Sequence, residues 1–229
     1  MEKIIDMHTH TNYSDGEYSP DELITKAINL NIKILSITDH DTINGIKSVD
    51  KTKYKDIKII NGIELSAKVD HGRMHILGYG IDLDNKDLND KMYALRDNSL
   101  QGVLSIMEQI KRDYGIRFHY EDIRDLINAN HNLGRPDLAK LCVKYGFADS
   151  VQDAFDRYLI DAYNKTRKTA KGIPKEECID LILKSGGIPV LAHPKTLEMD
   201  KKEFLIELKY LIECGLKGIE VYNSILSIE

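Results

Sequence analysis

The chain has 229 residues, 42% of them apolar and 30% charged, with a formal net charge of −5. That length accommodates one large domain, or a domain with an insert, around a sizeable core. Acids and bases are mixed along the chain, which excludes the clustered Lys and Arg of a groove for long nucleic acid; a small anionic substrate stays open, because bound metal ions reverse a local field.

In chain order, short apolar runs alternate with helical patterns. Residues 3–7 read as a strand followed by a polar loop. Ser19-Pro20-Asp21-Glu22 opens a helix, with Ser19 as cap, Pro20 in the first helical position and Glu22 completing a capping box. Residues 33–38 read as a second strand, 43–51 as a short helix and 57–65 as a third strand. Residues 67–81 read as a hairpin turning at Asp70-His71-Gly72. Helical patterns then cover residues 87–113, 120–129, 135–145 and 151–160, without strand signals between them. Polar residues 161–172 read as an exposed loop. Pro174 opens a helix that stops at Gly186-Gly187. A strand over 188–192, a helix over 201–213 and a strand over 218–222 follow. The expected organisation is an α/β domain from residues 1–86 and 173–229, interrupted by a helical insert over 87–172. Strand–helix alternation predicts a parallel sheet, open or closed, with its functional face at the strand ends.

Cys142, Cys178 and Cys214 are odd in number and widely spaced, which predicts reduced thiols rather than a disulfide framework. No basic-then-apolar leader and no span long enough for a bilayer stands out, so a cytoplasmic protein without membrane contact is expected.

Polar clusters sit at the strand ends. His8 and His10 are two residues apart, so an extended chain points both rings to one side, as divalent-metal ligation requires. Asp15 adds a carboxylate beside Gly16. Asp39-His40-Asp41 follows the second strand; carboxylates there call for a cation, with His40 as ligand and Asp39 or Asp41 orienting an imidazole. Asp39 is accordingly a catalytic candidate. Glu64 lies among apolar residues, where a carboxylate is rare unless paired or bound to metal. His75 alternates with apolar neighbours, and His193-Pro194 ends a strand that proline prevents from continuing. Each cluster alone has a bland explanation as surface, cap or core; the ordered set does not.

The segments HTHTNYSDG, TDHDT, GIELS, MHILGYG and VLAHP together resemble the sequential motifs of the PHP (polymerase and histidinol phosphatase) family, over nearly the whole chain. The resemblance implies a distorted (β/α)7 barrel with a trinuclear centre. His8, His10 and Glu64 would hold one ion, Asp15 and His40 a second, and Glu64, His75 and His193 a third. Mn, Zn and Fe all suit mixed N/O ligation. The implied reaction is hydrolysis of a phosphate monoester.

Within the insert, Gly134-Arg135-Pro136 and Ala154–Leu159 resemble segments of nucleoside 3′,5′-bisphosphate phosphatases and RNA-trimming enzymes, although Asp137 stands where those relatives often have His. Arg135, at a helix start, is the candidate phosphate clamp and, with Asp39, a catalytic candidate. Lys168 is a further candidate substrate contact. Family members continue beyond GIEVYN to a last strand bearing Ser-Asp-x-His, which this sequence lacks. The resemblance therefore predicts a barrel without its final strand, reduced activity, and an exposed edge open to a second copy. The implied substrate is a small nucleotide, either a nucleoside bisphosphate or a short RNA end. Histidinol phosphate, or a degenerate metal-binding module without catalysis, are the competing readings.

Overall fold

The reciprocal bonds expected at the first helix are present in the computed structural model. The Glu22 amide donates to Ser19 Oγ at 3.4 Å, and the Ser19 amide donates to the Glu22 carboxylate at 2.8 Å. The structure describes residues 4–129, 131–166 and 172–222. The chain divides into two compact units, residues 1–92 with 171–229, and residues 93–170.

The first unit contains β1 (Ile5–Thr9), α1 (Pro20–Asn29), β2 (Ile34–Ile37), α2 (Asn44–Lys47), β3 (Lys58–Lys68) and β4 (Met74–Tyr79). After the insert come β5 (Ile173–Pro174), α8 (Lys175–Lys184), β6 (Ile188–Leu191), α9 (Lys201–Glu213) and β7 (Gly218–Ile219). The strands form one mixed sheet in the order β1-β2-β3-β4-β6-β7, with the two-residue β5 paired to β3. The architecture is of the α/β barrel type that the sequence predicts, with the strand path open between β1 and β7 among the described residues.

The sheet is parallel in part, as strand–helix alternation suggested, and is interrupted by the hairpin read at residues 67–81. β4 runs antiparallel to both β3 and β6, while β1-β2, β2-β3 and β6-β7 are parallel. The cause is the short β3–β4 connection, since a tight turn can only return an antiparallel strand. Ile63, Leu65, Ile76 and Leu77 are fully buried, as are Ile179 and Ile182 of α8. Removing each such side chain from water contributes about 1.5–3 kcal/mol. This apolar layer leaves the alternate strand positions for polar groups.

The second unit is helical. α3 (Lys86–Tyr114) carries the chain into it, followed by α4 (Tyr120–Ile127), α5 (Arg135–Lys144) and α6 (Val151–Ala154). α6 passes through a π-helical turn (Phe155–Leu159) into α7 (Ile160–Thr166). Its core gathers Val103, Ile106, Ile110, Leu138, Cys142 and Leu159. The loop expected from residue 161 is corrected here. Helix persists to Thr166 because Ala162 continues the buried face of Tyr158 and Leu159. Lys168 lies outside the described residues. No described helix is long and apolar enough to cross a membrane.

Candidate metal centre

Glu64 occupies the middle of β3 and is fully buried. The ladders on either side bring imidazoles to it. His8 lies in β1 and His10 one residue beyond its end; their Nε2 atoms stand 3.2 and 3.3 Å from Glu64 Oε2. The backbone after β2 continues the parallel register, because the Glu64 amide donates to Asp39 O and the Asp41 amide donates to Glu64 O. That bridge seats His40 beside Glu64, with His40 Nδ1 at 3.1 Å from Oε2.

The other carboxylate oxygen faces the antiparallel side. Ser66 opposes His75 and Glu64 opposes Leu77, so Glu64 and His75 are diagonal neighbours on one face. His75 Nδ1 is 3.0 Å from Glu64 Oε1, His193 Nε2 is 2.9 Å from it, and the two nitrogens are 3.2 Å apart. Five imidazoles thus surround one carboxylate. Asp15 stands at the rim with its side chain 67% exposed, 3.4 Å from His10 Nδ1 and 3.7 Å from His40 Nε2. Gly16 permits this turn, since a Cβ there would lie 2.3 Å from His10 O.

The donor set fits divalent cations. His40 Nδ1 and Glu64 Oε2 are buried without a hydrogen-bond partner, which protein interiors rarely tolerate. His8, His10 and Glu64 form one group with converging ligand atoms; His10, Asp15 and His40 form a second; His40, Glu64 and His75 form a third. Glu64, His75 and His193 also converge, at the distances just given. The seven residues singled out from sequence thus lie together, with Glu64, His10, His40 and His75 each appearing in more than one group.

The electrostatics follow from this crowding. Burial pushes the Glu64 carboxyl up, but the rings of His10, His193, His75 and His8 around it outweigh burial and hold the group far below the usual carboxylate range. Burial opposes protonation of His8, yet Glu220 and Glu64 raise its pKa to about 9. For His40 burial prevails: despite Glu64 and Asp15, and with His10 and His75 adding to burial, the ring is held below its ordinary value.

Asp39 is a correction. It is buried at 1% exposure, and its oxygens accept from Thr11 N, Thr11 Oγ1 and Ser14 Oγ, each at 2.7 Å. The carboxylate shapes the loop between His10 and Asp15, and a Cβ on Gly45 would lie 2.0 Å from its Oδ2. Its contribution to the site is indirect, through that loop. Asp41 Oδ1 likewise accepts from the Ser66 amide at 2.8 Å.

Two contributors were not singled out from sequence. Thr196 Oγ1 lies 2.9 Å from His193 Nδ1 and also reaches the carbonyls of Arg73 and His193. Its single hydroxyl hydrogen goes to a carbonyl, so His193 Nδ1–H donates to it and Nε2 keeps its lone pair toward Glu64. Glu220, just past β7, contacts both His8 and His193. A signal for it existed: Gly218-Ile219-Glu220 repeats the Gly62-Ile63-Glu64 pattern.

In the helical unit, Arg135 begins α5 with its guanidinium 4.2 Å from the Tyr163 ring centroid and 5.5 Å from that of Phe155. Asp137 accepts from the Gly134 amide at 2.8 Å and pairs with His131 Nε2 at 2.9 Å. It therefore ties the first turn of α5 to the preceding segment.

Fold and donor set together define an α/β protein with a His/Glu cluster able to bind metal. The chain belongs to the PHP domain family, whose profile matches residues 6–177. It is similar to the 5′-3′ exoribonuclease Rnm of Salmonella typhimurium, with 29% identity over 87% of this chain and 68% of that protein. It is also similar to the 3′,5′-nucleoside bisphosphate phosphatase of Chromobacterium violaceum, with 26% identity over 98% of this chain and 79% of that one. Among solved structures, a Bifidobacterium adolescentis protein described as a metal-dependent phosphoesterase matches with a TM-score of 0.73 and 25% identity, covering 95% of this chain and 77% of its own. Family and relatives place the chain among the metal-dependent phosphoesterases.

Proposed function

We propose that this protein hydrolyses phosphate monoesters of small nucleotides, either nucleoside bisphosphates or short RNA ends. The observation that carries the reading is the buried Glu64 carboxylate ringed by five imidazole nitrogens at 2.9–3.3 Å. In this reading His8, His10 and Glu64 hold one ion, Asp15 and His40 a second, and Glu64, His75 and His193 a third, the ions being Mn, Zn or Fe. Bound ions supply Lewis acidity toward phosphoryl oxygens and a water nucleophile at neutral pH.

The protein's own groups prepare the rest. Glu64 offers one oxygen to each side of the cluster and so links the ion sites. Asp15, exposed at the rim, stands at the solvent side of the donor set. Thr196 fixes the His193 ring so that Nε2 remains a ligand atom. Arg135 is assigned the role of phosphate contact, because a planar fork at a helix start matches phosphate geometry and the Tyr163 ring lies 4.2 Å from it. Lys168 is proposed as a second cationic contact. The similarity to an exoribonuclease and to a bisphosphate phosphatase supports the nucleotide choice.

The test uses protein stripped of metal and reloaded separately with Mn, Zn and Fe. Each form is offered adenosine 3′,5′-bisphosphate, a short 5′-phosphorylated oligoribonucleotide and histidinol phosphate. Phosphate release from a nucleotide substrate, exceeding that from histidinol phosphate, is expected. Turnover of histidinol phosphate alone overturns the substrate assignment, and inactivity of every metal-loaded form overturns the catalytic one.

A further inference from the structure

Glu220 lies where the two ends of the sheet meet. The strand path begins at β1 and ends at β7, which share no ladder among the described residues. The Glu220 amide donates to Leu191 O at 2.8 Å, extending the β6–β7 pairing one residue past Ile219 and fixing where the side chain starts. The carboxylate, 10% exposed, then reaches back across the gap. One oxygen accepts from the His8 ring at Nδ1, 2.9 Å away; the other accepts from the His193 amide at 2.7 Å.

Both contacts act on the far side of a candidate ligand. His8 presents Nε2 to Glu64, so a hydrogen bond from Nδ1–H to Glu220 sets ring orientation and tautomer together. His193 adopts φ 23 and ψ 66, a left-handed conformation that an ordinary residue keeps only when its surroundings enforce it. Capture of its amide by a buried carboxylate supplies that enforcement. His8 and His193 face different oxygens of Glu64, Oε2 and Oε1 respectively, with their rings stacked at a centroid distance of 5.7 Å.

We propose that Glu220 is a positioning residue that locks His8 by its ring and His193 by its backbone, setting the spacing between the two sides of the metal centre. The inference rests on the metal reading of the site given above. Glutamine at this position keeps the size but replaces one acceptor oxygen with an NH2 donor, so either a contact is lost or the His8 ring must carry its hydrogen on Nε2, the nitrogen that faces Glu64. Aspartate keeps two acceptors but draws them back by one methylene.

The test is Co(II) titration of metal-free protein, followed by visible absorption and equilibrium dialysis, alongside thermal unfolding of the metal-free forms. Glu220→Gln is expected to weaken Co(II) binding about 10–100-fold, as loss of a group behind a metal ligand does, and to alter the d–d spectrum. Its metal-free melting temperature should fall only modestly, since one hydrogen bond to a charged group is lost while the fold is kept. On a His8→Ala background the same substitution should cost much less, because its main route of action is gone. Unchanged Co(II) affinity and spectrum in Glu220→Gln overturn the proposal alone. So does an undiminished loss on the His8→Ala background, which would show that Glu220 does not act through the His8 ring. Failure of the unmutated protein to bind Co(II) overturns the metal reading and this inference with it. Should Glu220→Gln not fold, Glu220→Asp takes its place in every comparison, with the same outcomes decisive.

Discussion

Replacing Glu64 with glutamine is the sharpest perturbation of the centre, because shape is kept and charge is lost. The side chain is 1% exposed, so water cannot compensate. Its Oε2 faces His8, His10 and His40, and its Oε1 faces His75 and His193. Glutamine must turn its NH2 toward one of these sides, where it meets nitrogen atoms needed as ligands. The neutral amide also gives up the attraction that draws a cation to either side. Removing one partner from a buried ionic arrangement costs about 3–5 kcal/mol. At 1.36 kcal/mol per decade, that corresponds to roughly 10²–10⁴-fold weaker ion binding. The assay is metal content by mass spectrometry after dialysis against buffered free metal, with phosphate release measured on the same samples. Glu64→Gln protein that holds the full metal complement, with turnover within tenfold of the unmutated enzyme, would refute the view that this carboxylate organises the site.

Asp39→Ala should destabilise the metal-free protein by about 3 kcal/mol or more, since hydrogen bonds to a charged group contribute about 1.5–3 kcal/mol each and three end on this carboxylate; urea unfolding measures it. A variant as stable as the parent would show that the His10–Asp15 loop does not depend on Asp39. Arg135→Lys should raise KM for the nucleotide substrate with little change in kcat, because an ammonium keeps the charge but loses the fork; steady-state kinetics decide, and an unchanged KM removes Arg135 from the substrate contacts. Asp137→Asn concerns the helical unit. Burial pushes the Asp137 carboxyl up, but the His131 ring and the Gly134 amide outweigh burial and hold it below its ordinary value. A depressed folded pKa adds stability that is present above the unfolded value, about 3.9, and lost as pH falls through the folded one. Asp137→Asn should therefore lower stability by about 1 kcal/mol near neutral pH, in keeping with a lost cap interaction. The deficit should shrink below about pH 4, and melting curves across pH 2–7 should show the two proteins converging.

Much of the centre was legible without coordinates, and the reason is geometric. Period-two alternation places His8 and His10 on one side, and a carboxylate surrounded by Ile63 and Leu65 has nowhere to go but toward a partner. Proline after His193 ends a strand at a rim. The capping box at Ser19 is equally local, and it formed as read. The helical character of the insert followed from its unbroken periodicity, but where α7 stops did not. Residues 161–166 look polar in sequence, and only the packing of Ala162 against Tyr158 and Leu159 keeps them helical.

What tertiary structure decided were the partners. Asp39, just past β2, and Glu64, within β3, are both buried acids, yet one turns to Thr11 and Ser14 while the other meets five imidazoles; local pattern assigns a face, not a neighbour. The antiparallel placement of β4 between β3 and β6 sets the diagonal that brings His75 to Glu64, and that register is a long-range property. The strongest case is Glu220, which lies 212 residues from His8 in sequence and 2.9 Å from it in space. Sequence alone therefore determined which side chains are available for the chemistry. Curling of the sheet, which brings the end of β7 against β1, decided which of them meet, because hydrogen-bond ladders carry positional information across the chain that residue spacing cannot.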